Sequence, residues 1–237
     1  MKVAIVCPYD LGAPGGVQDQ AISLTRWLGD LGHESVLIGP GNDGPDGSIL
    51  LGSTRTVTAN ASAVPILVDP RVVRAVRSAV GDADVVLVHE PFMPMVSLAA
   101  TRIGDVPSVG TFHADASTLV RRVFRFGAPI AKVIASRLDI RTAVSPVAQS
   151  VVDRLGPIRI IPNGIDLSSF RVAEKRPMSV VFIGRDDERK GLDILLAAWP
   201  DIAATHPEAR LTVIGAKRDD PTAGVSYLGR VTDEEKQ

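Results

Sequence analysis

Short apolar runs alternating with helical repeats organise most of this chain. Val3-Ala4-Ile5-Val6-Cys7 has the length and β-branched content of a buried strand. After a glycine-containing turn, Val17, Ala21, Leu24, Leu28 and Leu31 recur on one face of a helix. Buried-strand runs follow at Ser35-Val36-Leu37-Ile38, Val85-Val86-Leu87-Val88, Val109-Gly110-Thr111-Phe112, Arg141-Thr142-Ala143-Val144 and Ile158-Arg159-Ile160-Ile161, with helical patterns between most of them. This alternation predicts an α/β fold whose parallel sheet is covered on both faces and binds ligands beyond the carboxyl ends of its strands. Gly16, His89-Glu90, His113 and Ser145 then share one rim. Ser145, directly before Pro146, also has the form of a helix N-cap. Residues 39–52 are rich in Gly, Pro and Asp and read as a surface loop with little regular structure.

Periodicity is lost over residues 166–177, and strand, glycine turn and helix begin again at Ser179. Strands are expected at 180–183, 211–214 and 225–228, with a helix over 192–204. The reading is of two domains, residues 1–170 and 179–237, joined by a linker over 171–178. Thr232-Asp233-Glu234-Glu235 has the form of a capping box that opens a helix, yet only Lys236 and Gln237 follow. A helix that short buries no apolar face, and a sheet lacking helices on one side exposes apolar surface. The second domain is therefore expected to be incomplete and the chain to be part of a longer protein.

With 237 residues, 45% of them hydrophobic, the chain has material for one large core or two modest ones. A formal net charge of -1 and the lack of an aromatic-and-basic stripe argue against nucleic acid as a partner. Cys7 is the lone cysteine, lies in a buried strand and reads as an inert thiol in a reducing compartment. The chain opens on a strand rather than a signal peptide, and no apolar run approaches a membrane span, so a cytoplasmic location is expected.

Two turns carry the candidate chemistry. Pro14-Gly15-Gly16 and Gly184-Arg185-Asp186-Asp187-Glu188-Arg189-Lys190-Gly191 each follow an apolar strand. Unpaired N–H groups at a helix start favour an anion, and missing side chains let it approach the backbone. Arg185 and Lys190 add fixed charge. Together the turns suggest a cleft gripping a diphosphate from both sides. The plainer alternatives are a tight strand-to-helix turn at Gly15-Gly16, and surface cations matched by Asp186, Asp187 and Glu188. Asp82-Ala83-Asp84 has the form of a metal-binding pair of carboxylates but precedes a strand, away from the ligand rim, so it reads as a solvated connection and no metal centre is expected. Arg71, Arg74 and Arg77 follow helical spacing, while Arg121, Arg122 and Arg125 cluster with Val123, Phe124 and Phe126. Such surfaces suit anionic lipid, and ordinary solvated helix faces look the same.

Several ordered motifs go further. Val6-Cys7-Pro8-Tyr9 with Pro14-Gly15-Gly16-Val17-Gln18, His89-Glu90-Pro91, Thr111-Phe112-His113, Ala143-Val144-Ser145, Ile161-Pro162-Asn163-Gly164-Ile165-Asp166, Gly184-Arg185, Lys190-Gly191, Val213-Ile214-Gly215 and Tyr227-Leu228-Gly229-Arg230-Val231 run the length of the chain. In these it resembles the family 4 retaining glycosyltransferases, and among them the bacterial phosphatidylinositol mannosyltransferases. The resemblance implies a GT-B type α/β fold of two Rossmann-like, doubly wound parallel-sheet domains, the second incomplete. It implies transfer of a hexose, mannose favoured, from a nucleotide-diphosphate sugar to a lipid or glycan acceptor, with retention of configuration and without a cofactor or metal. His113, Arg185 and Lys190 would be catalytic, and Gly15 and Gly16 would hold the diphosphate with Arg185 and Lys190. Gly215, Gly229 and Arg230 would lie on the nucleotide side, and Tyr9, Gln18, His89 and Glu90 on the acceptor side. Kinship to lipid-acting enzymes implies an anionic membrane surface as a partner, on the inner face of the plasma membrane.

The resemblance has departures. Asn60-Ala61-Ser62-Ala63-Val64-Pro65 lacks the arginine, and Ala114-Asp115-Ala116-Ser117 the Thr/Ser-rich run and lysine, that the mannosyltransferases carry for an inositol phosphate acceptor. That acceptor is therefore not implied. The family's glutamate-pair segment is also absent, which leads us to expect no activity from the isolated chain. The competing reading is a non-catalytic module that docks on a partner or a membrane surface.

Overall fold

The computed structural model describes residues 1–59, 62–113, 128–170, 174–219, 222–232 and 235. The chain divides into two compact units, Met1–Gly164 and Ile165–Gln237.

In the first unit, β1 (Lys2–Val6) leads into α1 (Gly16–Asp30), β2 (Glu34–Gly39), β3 (Ile49–Leu50) and a hairpin of β4 (Arg55–Ala59) and β5 (Ser62–Ile66). Next come α2 (Val72–Val80), β6 (Val85–His89), α3 (Val96–Ala100) and β7 (Ser108–Phe112). The unit closes with α4 (Ala128–Ala135), β8 (Ile140–Ala143), α5 (Pro146–Val152) and β9 (Arg159–Ile160). Seven strands form one sheet in the order β3-β2-β1-β6-β7-β8-β9, every pair parallel. Alternate residues of β1 enter opposite cores. Ala4 and Val6 pack with Val72, Val76 and Val80 of α2 and Val96 and Ala99 of α3. Val3 and Ile5 pack with Ala21, Val17, Leu24 and Leu28 of α1. Burial on both faces is what the continuous apolar runs encode. At the amino ends of the strands, Asp84 Oδ2 accepts from the Lys2 backbone N–H at 2.7 Å, and Asp82 pairs with the Lys2 ammonium. This carboxylate pair therefore pins the start of β1, far from the rim where ligands of such sheets sit.

The structure departs from the sequence expectation in one place and adds an element where none was read. Residues 39–52 contain β3, which registers Ile49 and Leu50 against Ile38 and Gly39, with Gly41 bridged to Gly52. The edge of β2 presents unmet backbone groups, and two apolar residues suffice to pair with them. The hairpin of β4 and β5 is antiparallel and stands apart from the main sheet.

The second unit holds a three-stranded parallel sheet of β10 (Ser179–Ile183), β11 (Arg210–Ile214) and β12 (Val225–Gly229) in that order. Its helix, α6 (Leu192–Thr205), contains Pro200 in its interior. A proline there removes a helical hydrogen bond, and burial of the neighbouring residue outweighs the loss. Trp199 is fully buried at 0% exposure among Leu192, Leu211 and Val213, and its Nε1 donates to the Ala223 carbonyl at 3.0 Å. Val181, Ile183 and Leu228 remain 54%, 59% and 55% exposed, the apolar surface expected of a sheet with too few helices. The capping box forms: the Glu235 N–H donates to Thr232 Oγ1 at 3.2 Å and the Thr232 N–H to Glu235 Oε2 at 2.8 Å.

Truncating Trp199 removes the centre of this small core. Trp199→Ala is expected to destabilise the second unit by about 3–5 kcal/mol, read as a loss of its urea-unfolding transition by circular dichroism. Trp199→Phe, which keeps most of the apolar area and strands only the Ala223 carbonyl, is expected to lose less.

Candidate active site

The strand order reverses at β1, with β2 and β3 on one side and β6 to β9 on the other. Chains leaving the carboxyl ends of β1 and β6 therefore diverge and open a crevice. The β1 exit carries Cys7, Tyr9 and the glycine turn. Cys7 is fully buried, and burial pushes its thiol pKa up to about 12, which makes it inert as a nucleophile. The Tyr9 hydroxyl is likewise pushed well above its usual range, first by burial and then by the Glu90 charge. The loop between is tied down by Asp10, whose carboxylate accepts from the Gly12 N–H at 3.0 Å and from the Thr54 hydroxyl at 2.6 Å.

The adjacent glycines have different structural causes. Gly15 is the N-cap of α1 with extended backbone (φ −179°), and a Cβ there would overlap the Gln18 side chain, 2.9 Å from its Cδ. Gln18 itself is buried and donates to the Asp10 carbonyl at 3.3 Å, so its amide supports the turn. A Cβ on Gly16, the first helical residue, would meet nothing within 4 Å. The fold leaves that space open beside the free N–H groups of a helix start.

Across the crevice, His89 ends β6, and His113 directly follows β7. His89 Nδ1 and His113 Nε2 lie 2.7 Å apart. Glu90, with φ +48°, turns back so that its N–H donates to the Thr111 carbonyl at 2.8 Å and its carboxylate accepts from the His113 N–H at 2.8 Å. A left-handed conformation at a non-glycine residue stores strain that these bonds hold in place. Burial lowers the pKa of His89 to about 3, helped by neighbouring His113, and that of His113 to about 4. Both rings line a cavity of about 320 Å³ with Gln20, Leu24 and Trp27 of α1 and residues 161–164. Ser145 Oγ accepts from the Ala148 N–H at 3.1 Å and caps α5, as its place before Pro146 predicts.

In the second unit, Gly184, Gly215 and Gly229 line the carboxyl ends of the three strands. The Gly184 N–H donates to the Ile214 carbonyl at 2.9 Å, and the Gly215 N–H to that of Gly229 at 2.7 Å. Gly215 is required twice over, by φ +90° and because a Cβ would lie 2.6 Å from the Gly184 carbonyl oxygen. Gly191, at φ +75°, caps α6. Sequence spacing does not single out Arg218, which sits just past β11. Its guanidinium binds Asp186 through Nε at 2.8 Å and Asp193 through Nη2 at 2.8 Å, and lowers the Asp186 pKa by that hydrogen bond. The carboxylate nearest Arg185 in sequence is thus engaged elsewhere. Arg185 and Lys190 are exposed and make no ion pair among the described residues. Arg230 is also exposed, directly after β12.

Arg71, Arg74 and Arg77 occupy the exposed side of α2, opposite its buried Val72, Val76 and Val80. Residues 114–117 and the Arg121, Arg122 and Arg125 cluster lie outside the described residues. Among the described residues no helix is long and apolar enough to cross a membrane.

Both imidazoles stay neutral in the folded protein down to about pH 4, whereas the unfolded chain protonates them near 6.5. The unfolded state therefore binds more protons below 6.5, and the stability held by keeping them neutral falls as pH drops towards 4. His89→Asn removes one of these groups. The gap in urea midpoint between wild type and His89→Asn is expected to shrink from pH 7 to pH 4.5; a constant gap would mean that His89 titrates normally.

Comparison with known proteins places this geometry. Residues 14–169 match the model of Glycosyltransferase Family 4. The chain is 33% identical over 263 residues to a phosphatidyl-myo-inositol mannosyltransferase of Propionibacterium freudenreichii, covering 100% of this chain and 67% of that protein. It is 33% identical over 259 residues to the protein of the same name in Mycolicibacterium smegmatis, covering 66% of it, so the chain spans about two thirds of their length. Among solved structures, the fold matches that of HepE from Anabaena in complex with UDP-glucose at TM-score 0.63 and 15% identity, over 98% of this chain and 70% of that one. With its doubly wound sheet, its glycine turn and a family match over most of its length, the chain belongs to glycosyltransferase family 4.

Proposed function

We propose that this chain serves a hexosyltransferase that moves a sugar, mannose favoured, from a nucleotide diphosphate to a hydroxyl of a lipid or glycan acceptor, with retention of configuration. The observation that carries the reading is the open space at Gly16, at the start of α1 and at the point where the sheet reverses. A departing diphosphate gains negative charge as the glycosidic bond breaks, so fixed N–H groups and cations beside it stabilise the transition state more than the ground state. Gly15 and Gly16 in the first unit and Arg185 and Lys190 in the second are assigned to that charge, with Gly215, Gly229 and Arg230 towards the nucleotide. Two features support the assignment: the cations are free of carboxylate partners among the described residues, and Arg218 engages Asp186. His113 is assigned to the sugar and the acceptor hydroxyl, and Tyr9, His89 and Glu90 to the acceptor side. Neutral imidazole suits this role, since it accepts or donates a hydrogen bond without bringing charge. The mannosyltransferase relatives favour mannose, and the UDP-glucose complex of HepE supports a nucleotide-sugar donor. An anionic membrane surface remains part of the proposal through the exposed arginines of α2.

Calorimetry with GDP-mannose, UDP-glucose and the free diphosphates, on this chain and on a version extended to the length of its relatives, tests the reading. Binding by the extended version supports it and identifies the donor; no binding by either, with both folded, would favour a non-catalytic docking module. Gly16→Ala is expected to leave the urea midpoint unchanged or raised, because alanine is the better helix former, and to weaken donor binding at least ~10-fold by filling the anion's space. Lys190→Ala in the extended version is expected to lower kcat by about 10²-fold without loss of fold, and unchanged turnover would remove Lys190 from the site.

A further inference from the structure

The turn that carries Arg185 and Lys190 is anchored by backbone at both ends and left open at its head. At its start, the Gly184 N–H donates to the Ile214 carbonyl at 2.9 Å, and Gly215 comes so near that a Cβ on it would lie 2.6 Å from the Gly184 carbonyl oxygen. At its end, the Lys190 N–H donates to the Asp187 carbonyl at 2.8 Å and the Gly191 N–H to that of Glu188 at 3.2 Å, forming a short 3-10 turn that leads into α6. Between these anchors, the backbone of Arg185 and Asp186 makes no hydrogen bond among the described residues. A segment without backbone partners takes its path from its side chains.

Asp186 supplies the tie. Both of its oxygens are bound by one guanidinium, Oδ2 by Arg218 Nε at 2.8 Å and Oδ1 by Nη2 at 2.5 Å. The same Nη2 reaches Asp193 Oδ1, in the first turn of α6, at 2.8 Å. Arg218 thus joins the head of the turn to the helix that follows it. An isolated exposed ion pair contributes little, but a planar fork that meets both oxygens of a carboxylate fixes direction as well as distance. The arginine is also the least exposed of the three, at 27% against 43% for Asp186 and 69% for Asp193. It follows β11 on the loop that the close approach of Gly215 to Gly184 brings alongside the turn.

We infer that Arg218 is a positioning residue for this turn, which by holding Asp186 and Asp193 together fixes the backbone of Arg185 where the diphosphate group of a nucleotide arrives. The ligand rests on the glycosyltransferase reading; the clamp does not.

Two measurements test it. In the chain itself, the {1H}–15N NOE at the Arg185 and Asp186 amides is expected to be that of ordered backbone in wild type and to fall in Arg218→Lys, which keeps the charge and loses the fork, with the rest of the amide spectrum native. Low values in wild type, or equal values in the two proteins, would overturn the inference. In the version extended to the length of its relatives, calorimetry with GDP and UDP separates positioning from charge. Acting through their fields alone, removal of the cation weakens diphosphate binding and removal of the anion tightens it. Positioning predicts instead that Arg218→Gln and Asp186→Asn both weaken binding by roughly 3- to 10-fold, with the double variant no weaker than the weaker single one, because partners in one contact are not additive. Opposite signs or additive losses would overturn the inference. If Arg218→Gln does not fold, Arg218→Lys takes its place and is expected to weaken binding although the charge is kept; unchanged affinity would count against the clamp. No binding of either nucleotide by the folded, extended wild type would overturn the proposed function, while the NOE comparison would still decide the clamp, so the two failures are distinguishable.

Discussion

Parallel pairing of β1 along both of its edges is the constraint from which the first unit follows. β1 registers with β2 from Lys2↔Glu34 to Val6↔Ile38, and with β6 from Val3↔Val85 to Val6↔Val88. Parallel neighbours need crossover connections rather than hairpins, and α1 and α2 cover opposite faces of the sheet as a result. Because the strand order runs outward from β1 in two directions, the polypeptide must leave its carboxyl end on one side and that of β6 on the other. The crevice is a topological consequence, and Gly15, Gly16, His89 and Glu90 occupy it because they are the next residues along the chain.

Much of this was legible in the sequence because burial on both faces writes an unbroken apolar run. The runs at 3–7, 35–38, 85–88, 109–112, 180–183 and 211–214 each locate a strand to within a residue or two. The helix over 192–204 is found in spite of Pro200, since its apolar positions outweigh one misplaced residue. Elements that depend on few residues are lost: β3 is two residues long, and β4 and β5 alternate too weakly to stand out from a loop. At the site, Gly15 and Gly16 read identically in sequence, yet one avoids the Gln18 side chain and the other faces open space. The bond between His89 and His113 joins residues 24 positions apart that converge only when β6 and β7 pair. Arg218 lies 32 positions from Asp186 and is equally invisible to local spacing.

The two units present contrasting chemistry. The first offers backbone N–H groups, an inert thiol and two uncharged imidazoles in buried surroundings. The second offers exposed cations on a glycine turn whose nearest carboxylate is held by another arginine. A low-dielectric wall strengthens hydrogen bonds and penalises charge, whereas an exposed cation works through its field.

The Arg218 clamp gives that field a dependence of its own. Arg218 spans from the glycine turn at Asp186 to the first turn of α6 at Asp193, and all three side chains reach water. Dissolved ions screen exposed charges beyond roughly 8 Å at physiological strength and weaken exposed pairs further as their concentration rises. Added electrolyte therefore acts on the turn in two ways that add: it loosens the clasp on Asp186, and it dims the attraction of Arg185 and Lys190 for any anion. The neutral imidazoles of the first unit are insensitive to both, so the two halves of this chain respond to different properties of the same solvent.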